Sequence, residues 1–159
     1  MFEKIFKPKA TDFIAPFRGK MMQLEEVPDP TFSQKTIGDG FALEMYDGNV
    51  YSPVDGKIIA VFPTGHAIGI KADDRNEYLI HLGLNTLQVP DKVFNTKVTI
   101  GQTVKKGELL SIVDLDFFRS QQNVMICPII VMNSNQRKIK LLKQGEVEAM
   151  ENGIIAIIP

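Results

Sequence analysis

The residues best suited to chemistry in this 159-residue chain are its only two histidines, His66 and His81. The segments 66–72 and 77–82 are strand-like, and the polar residues between them, Asp73-Asp74-Arg75-Asn76, favour a turn. A hairpin loop of two or four residues would place both imidazoles on the same face, because side chains alternate along a strand. Neighbouring imidazoles can carry a phosphoryl group, bind a metal or perform acid–base catalysis, so three kinds of chemistry stay open.

The elements that must position these histidines are predicted to be strands along almost the whole chain. Short apolar runs rich in Val and Ile alternate with Gly, Pro, Asp and Asn, which is typical of an all-β protein. We predict an all-β fold, an antiparallel β-sandwich or barrel with short helical turns. Further predicted strands are 57–62, 97–100, Leu109–Val113, 126–132 and 153–158, and 116–123 is the only helix-like segment.

A weak internal repeat supports this fold class. The pattern Pro-x-x-Gly-Lys, followed by two apolar residues, occurs from Pro16 to Lys20 and again from Pro53 to Lys57. The repeat suggests that one β unit is used twice. No low-complexity linker divides the chain, so we expect a flexible tail at 1–12 and one domain at 13–159.

Composition excludes several classes of protein. A net charge of −1 argues against nucleic acid as a partner, because no broad basic surface is present to neutralise phosphates. The single cysteine, Cys127, excludes an intrachain disulfide, suits a reducing cytoplasm and is predicted to be a buried apolar residue. No apolar run reaches the roughly 20 residues of a membrane span. We expect no secretory signal at the N-terminus, and Phe2, Ile5 and Phe6 could touch a membrane only weakly.

Several catalytic motifs are missing. The sequence contains no glycine-rich phosphate loop, no Cys-x-x-Cys, no His-Glu-x-x-His and no Gly-x-Ser-x-Gly. A metal site built from this chain alone would need carboxylates beside the histidines, and their spacing nominates none.

Three segments around the histidines closely resemble the glucose-type IIA component of the bacterial sugar phosphotransferase system. They are Ser52–Gly56, with the sequence SPVDG; Pro63–Ile70, with the sequence PTGHAIGI; and Leu79–Leu87, with the sequence LIHLGLNTL. The resemblance extends from about residue 13 to the C-terminus and implies an antiparallel β-sandwich of the duplicated hybrid motif type.

The resemblance also implies roles for individual residues. His81 would accept a phosphoryl group from the phosphohistidine of the carrier protein HPr and pass it to a IIB domain of a sugar permease. His66 would hold phosphate oxygens, Thr64 would orient His66 through its hydroxyl, and the carbonyl of Gly83 would hold the δ nitrogen of His81. The chain would then be a phosphotransferase that needs no cofactor for transfer. Zinc could still bind at a partner interface through His66 and His81 with a partner carboxylate.

Partner docking is expected at an apolar face around the histidines. The family pattern assigns Phe32, Ile37, Phe62, Leu79 and Leu87 to this face. Of the two aspartates that flank the histidines in the family, Asp29 is present and Asn85 replaces the other. We therefore expect weaker electrostatic steering of HPr.

Other functions are weighed against this one. A regulatory binding protein, gated by phosphorylation of His81, is the main alternative. A zinc peptidase would need His-x-His and His-x-x-x-Asp motifs, and neither motif occurs at or near His66 or His81. A biotinyl or lipoyl carrier would need a Met-Lys-Met hairpin, and the sequence contains none. We expect a cytoplasmic monomer, with the IIB and membrane domains of the permease on a separate chain.

Overall fold

The computed structural model describes residues 8–86 and 89–159, and within them strands are the predominant regular structure. Two short helices, α1 and α2, and a 3₁₀ turn at Leu24–Glu26 interrupt thirteen strands. The strands are β1 (Gly19–Gln23), β2 (Asp39–Met45), β3 (Asn49–Tyr51), β4 (Gly56–Val61), β5 (Ala67–Ala72), β6 (Glu77–His81), β7 (Phe94–Thr96), β8 (Thr103–Val104), β9 (Leu109–Val113), β10 (Ile126–Val131), β11 (Lys138–Leu141), β12 (Glu146–Val147) and β13 (Ile155–Ile158), and the helices are α1 (Pro30–Ser33) and α2 (Leu115–Ser120).

The main sheet has eight strands in the order β12-β1-β2-β10-β6-β5-β4-β8, and a three-stranded sheet (β3-β9-β7) and a two-stranded sheet (β11-β13) complete the fold. Every pairing is antiparallel. The eight-stranded sheet consists of two similar halves that meet where β10 pairs with β6. This arrangement confirms the predicted all-β class and its duplicated architecture.

The repeated Pro-x-x-Gly-Lys pattern occupies equivalent places in the two halves. Gly19 begins β1 opposite Val147 of the edge strand β12, and Gly56 begins β4 opposite Val104 of the edge strand β8. A Cβ atom at Gly19 would lie 2.1 Å from the carbonyl oxygen of Glu44. At Gly56 the carbonyl oxygen of Lys71 would lie 2.3 Å from it, so glycine is required at both strand starts.

Two apolar clusters hold the strands together. The larger is the central core, with Phe13, Tyr78 and Ile80 among its fully buried members. The smaller cluster joins the 3₁₀ turn and α1 to the main sheet. It comprises Leu24, Val27, Phe32, Ala42, Ala67, Leu79 and Ile130. Because Leu79 precedes His81 by two positions on β6, this second cluster lies on the sheet face that carries His81.

Two details of the sequence prediction are wrong. The segment 97–100 forms no strand; pairing with β9 takes place earlier, at Phe94–Thr96, and Gly101 with φ +91° turns the chain. Helix α2 also begins before the predicted start, because the Asp114 side chain accepts a hydrogen bond from the Phe117 amide and caps it. It ends before 123, since Gln122 adopts a positive φ of 56°.

Other predictions concern the N-terminus and the cysteine. Phe2, Ile5 and Phe6 lie outside the described residues. Further along the predicted tail, the Thr11 amide donates to the Ile155 carbonyl at 3.0 Å. Cys127 is fully buried, as predicted, and burial raises the pKa of its thiol to about 12. None of the helices in the described ranges combines the length and apolar character of a membrane span.

Candidate functional site

The hairpin formed by β5 and β6 carries the histidines, but its loop differs from the prediction. Ala67 pairs with His81 and Lys71 with Glu77, and the Ala72 amide bonds to the Asn76 carbonyl at 2.8 Å. The loop is therefore three residues, 73–75, rather than two or four. Arg75 makes this length possible, because it adopts the left-handed conformation with φ 77°.

In this register His66 faces Leu82 and not His81, so strand alternation alone would put the two imidazoles on opposite faces. His66, however, lies in a bend directly before β5, after Gly65 with φ +78°. The ring centroids of His66 and His81 are 5.2 Å apart with an interplanar angle of 71°. The predicted proximity is confirmed, although the bend produces it and the predicted register does not.

Each imidazole is held at Nδ1 by a different group. The Nδ1 atom of His81 lies 2.7 Å from the Gly83 carbonyl oxygen. A carbonyl only accepts hydrogen bonds, so Nδ1 carries the proton and Nε2 keeps its lone pair in the neutral ring. The Thr64 hydroxyl contacts Nδ1 of His66. With the hydroxyl donating, the proton of neutral His66 resides on Nε2, where it can be donated to an anion.

Both histidines are held neutral by their surroundings. Burial lowers the pKa of His66 below the ordinary value of 6.5. Burial is also the main cause that lowers the pKa of His81, and the nearby imidazole of His66 lowers it further. The Gly83 carbonyl and the Asp29 carboxylate act in the opposite direction on His81. At neutral pH the lone pair on Nε2 of His81 is therefore available as a nucleophile.

Two phenylalanines extend the pair of imidazoles into a row of four rings. Phe32 packs on His81 with ring centroids 4.9 Å apart, and Phe62 packs on His66 at 5.2 Å. The row fixes the orientation of both imidazoles by contacts on their outer sides. Helix α1 supplies Phe32, and this helix was not predicted. It starts at Pro30 because the Asp29 side chain accepts a hydrogen bond from the Thr31 amide at 3.0 Å.

The row of rings lines a surface depression with a volume of ≈ 280 Å³. Of the residues predicted for docking, Ile37 and Phe62 are about one-third exposed, at 37% and 38%. Phe32 and Leu79 also line it, but they are only 5% and 6% exposed and belong to the apolar cluster beneath. These two side chains therefore add little exposed surface to the depression. Leu87 lies outside the described residues. The lining comprises Asp29, Thr31, Phe32, Ile37, Phe62, His66, Leu79, His81, Asn85 and Thr86.

The two positions that carry aspartates in the family, here Asp29 and Asn85, lie at the edge of this depression. Asp29 is half-buried where it caps α1, and Asn85 is exposed with a positive φ of 55°. Asparagine and aspartate both tolerate this left-handed conformation better than other residues with a side chain, so backbone geometry does not distinguish them. The difference between them at this site is one negative charge.

The sequence reasoning missed two of the residues in the depression, Thr31 and Thr86. Thr86 is part of the motif that follows His81, but nothing in its type indicated a buried hydroxyl beside the histidines. Among the described residues, no group of three or more His, Cys, Asp and Glu side chains could hold a metal ion. His66 and His81 would thus need ligands from another molecule to bind zinc.

Comparisons with known proteins find similarity to components of sugar phosphotransferase systems. Residues 11–137 match the family described as phosphoenolpyruvate-dependent sugar phosphotransferase system, EIIA 1. The glucose-specific EIIA component of Oceanobacillus iheyensis is 41% identical to the chain, with 99% of each covered. The glucosamine-specific EIICBA component of Bacillus subtilis is 40% identical over 87% of this chain and 22% of its own length. Among solved structures, glucose permease IIA from Mycoplasma capricolum has a TM-score of 0.80 and 34% identity, covering 96% of this chain and 97% of that one.

Proposed function

Because this chain belongs to the EIIA 1 family of the phosphoenolpyruvate-dependent sugar phosphotransferase system, we propose that it carries its phosphoryl group on Nε2 of His81. The chain is a phosphocarrier that passes phosphoryl groups to a sugar permease. This assignment favours the carrier over the regulatory alternative. The observation that carries our proposal is the 2.7 Å contact between Nδ1 of His81 and the Gly83 carbonyl, which leaves Nε2 as the free nucleophile.

The proposed step exchanges one phosphorus–nitrogen bond for another. The lone pair of Nε2 of His81 attacks the phosphorus of a phosphohistidine donor, and the donor's phosphorus–nitrogen bond breaks. The donor ring carries a proton on its other nitrogen, so it leaves as a neutral imidazole when the bonding electron pair returns to the nitrogen that held the phosphorus. The proton of His81 stays on Nδ1, bound to the Gly83 carbonyl. No metal or nucleotide is needed, because the energy of the transferred bond is nearly conserved between two histidines.

His66 is proposed to stabilise the phosphoryl group during transfer. Its Nε2–H would donate a hydrogen bond to a phosphoryl oxygen, and the contact with the Thr64 hydroxyl supports the tautomer that this requires. Phosphoryl transfer through a loose transition state depends on alignment and charge stabilisation, and a fixed donor beside the nucleophile provides both. On these grounds we class the chain as a phosphotransferase.

The partners are proposed from the same chemistry. HPr would donate the phosphoryl group, and a IIB domain of a sugar permease would accept it. Both would dock on the depression, where Ile37 and Phe62 offer exposed apolar contacts around the histidines. A cytoplasmic monomer suits this exchange, since the docking face must be free. Zinc bound by both histidines and a partner carboxylate would block transfer.

Phosphorylation by phosphoenolpyruvate, enzyme I and HPr tests the proposal. Wild type should acquire an acid-labile, base-stable phosphate, and His81→Gln should acquire none. His66→Gln should still acquire it but should pass it to a IIB domain much more slowly. Circular dichroism and thermal unfolding of each variant control for loss of structure. Label on folded His81→Gln, or no label on wild type with active HPr, would refute the assignment.

A further inference from the structure

The hydroxyl of Thr86 makes a contact whose purpose the proposed transfer step does not explain. Thr86 is 1% exposed, and its Oγ1 donates a hydrogen bond to the Leu82 carbonyl at 3.2 Å. Leu82 directly precedes Gly83, whose own carbonyl holds His81. The amide of Leu82 also donates to the His66 carbonyl at 2.6 Å. The backbone of Leu82 is thus hydrogen-bonded at its amide to His66 and at its carbonyl to Thr86.

The methyl group of Thr86 contacts the same backbone from a second direction. A Cβ atom at Gly83 would lie 2.8 Å from Cγ2 of Thr86 and 2.8 Å from Sδ of Met125. Gly83 is therefore enclosed between these two side chains in a left-handed conformation, with φ +85°. The direction of its carbonyl depends on both neighbouring peptide units, and Thr86 contacts both Leu82 and Gly83.

We propose that Thr86 is a positioning residue, which sets the tautomer and orientation of His81 by fixing the Leu82–Gly83 backbone. This inference rests on the proposed function of His81. It adds a residue whose hydroxyl bonds to the backbone beside His81. Its hydroxyl acts through the Leu82 carbonyl and its methyl through Gly83. When the hydroxyl is absent, the buried Leu82 carbonyl loses its side-chain donor, and the peptide unit can rotate to find another. The Gly83 carbonyl would then turn away from Nδ1.

The test separates the hydroxyl from the methyl with four variants. Thr86→Val keeps the shape and removes the hydroxyl, whereas Thr86→Ser keeps the hydroxyl and removes the methyl. Thr86→Ala removes both groups. The matched control is Ser52→Ala, because the fully buried Ser52 hydroxyl donates to the Val54 carbonyl at 2.7 Å outside the depression. Each variant is examined by the ¹⁵N spectrum of His81, by its rate of phosphorylation and by thermal unfolding.

We expect the Nδ1–H tautomer of His81 to lose population in Thr86→Val and the phosphorylation rate to fall about tenfold, as for other small misplacements of reacting groups. Thr86→Ser should stay close to wild type in both respects. Ser52→Ala should lose stability without changing the tautomer. If Thr86→Val fails to fold, Thr86→Ala compared with Thr86→Ser isolates the hydroxyl in the same way.

A folded variant without the hydroxyl that keeps the wild-type tautomer and rate would overturn the inference. So would Thr86→Ser if its tautomer and rate match those of Thr86→Val. The spectrum of unphosphorylated protein reports on Thr86 even if wild type takes no label. Failure of the proposed function and failure of this inference are therefore distinguishable.

Discussion

Replacement of Gly83 by alanine is the sharpest single test of how the backbone prepares His81. Gly83 has φ +85°, a conformation that alanine adopts only with strain. The added Cβ atom would also meet Sδ and Cε of Met125 and Cγ2 of Thr86, all at 2.8 Å. Methionine can move aside, but the β-branched Thr86 is restricted to few rotamers.

The size of the effect follows from two contributions. A left-handed conformation costs a residue with a side chain about 1–2 kcal/mol, and crowding in a packed site costs about 1–3 kcal/mol more. Alanine has a smaller conformational entropy than glycine in the unfolded chain, and this offsets about 0.4–1 kcal/mol of the lost stability. The free energy of unfolding should therefore fall by about 1–4.5 kcal/mol in Gly83→Ala, a substantial part of the total for a domain of this size.

Gly101 provides a matched control. Its φ is +91°, close to that of Gly83, but a Cβ atom there would have no atom within 4 Å among the described residues. Gly101→Ala should thus lose only about 1 kcal/mol, since the conformational strain is the same but the crowding is absent. Urea unfolding measures the free energy of unfolding of both variants. The difference between the two losses reports on the packing around Gly83 alone.

Function should respond only at Gly83. If crowding turns its carbonyl away from Nδ1, the favoured tautomer of His81 is lost and the phosphorylation rate should fall about 10- to 100-fold. Gly101→Ala should be phosphorylated at the wild-type rate. Equal destabilisation in the two variants, or a wild-type rate and ¹⁵N spectrum in Gly83→Ala, would refute this reasoning.

Three further predictions concern the charges and hydrogen bonds around the histidines. Asn85→Asp adds a negative charge at the edge of the depression, so phosphorylation by HPr should accelerate a few-fold at low salt and lose this gain near 1 M salt. Stopped-flow rates for Asn85→Asp that do not change with ionic strength would contradict this prediction. His66→Gln removes a group that lowers the pKa of His81, so that pKa should rise; an NMR titration that shows no change excludes the coupling. Because the pKa of His81 is lowered on folding, its protonation favours the unfolded state. The contribution of His81 to the free energy of unfolding should be fully present above about pH 6.5 and should be lost as the pH falls through the folded pKa. Urea unfolding checks this, since His81→Gln should lose less stability in acid than wild type.

Much of the site could be predicted because its signals are local in the sequence. Two histidines flanking a polar turn indicated a hairpin with paired imidazoles, and the motif around His81 indicated the family. The repeated Pro-x-x-Gly-Lys pattern indicated a duplicated unit. Each of these signals depends on residue type and on backbone preferences within a few positions, which are fixed before any long-range contact forms.

Other features depended on contacts that no local pattern records. The three-residue loop needs Arg75 in a left-handed conformation, which an arginine adopts only where the surrounding structure favours it. Helix α1 is four residues long, too short to give a helical periodicity, yet it places Phe32 on His81. The burial of Leu79 under the depression follows from the second apolar cluster, whose members come from distant parts of the chain.

The sequence alone therefore determined the fold class, the family and the two histidines to which we assign the chemistry. The tertiary structure decided how those histidines meet, which tautomer each adopts and which neighbours, such as Thr86, contact the Leu82–Gly83 backbone beside His81. The physical reason is that residue type limits local conformation and chemistry. Burial, hydrogen-bond partners and ring contacts arise only when distant segments pack together.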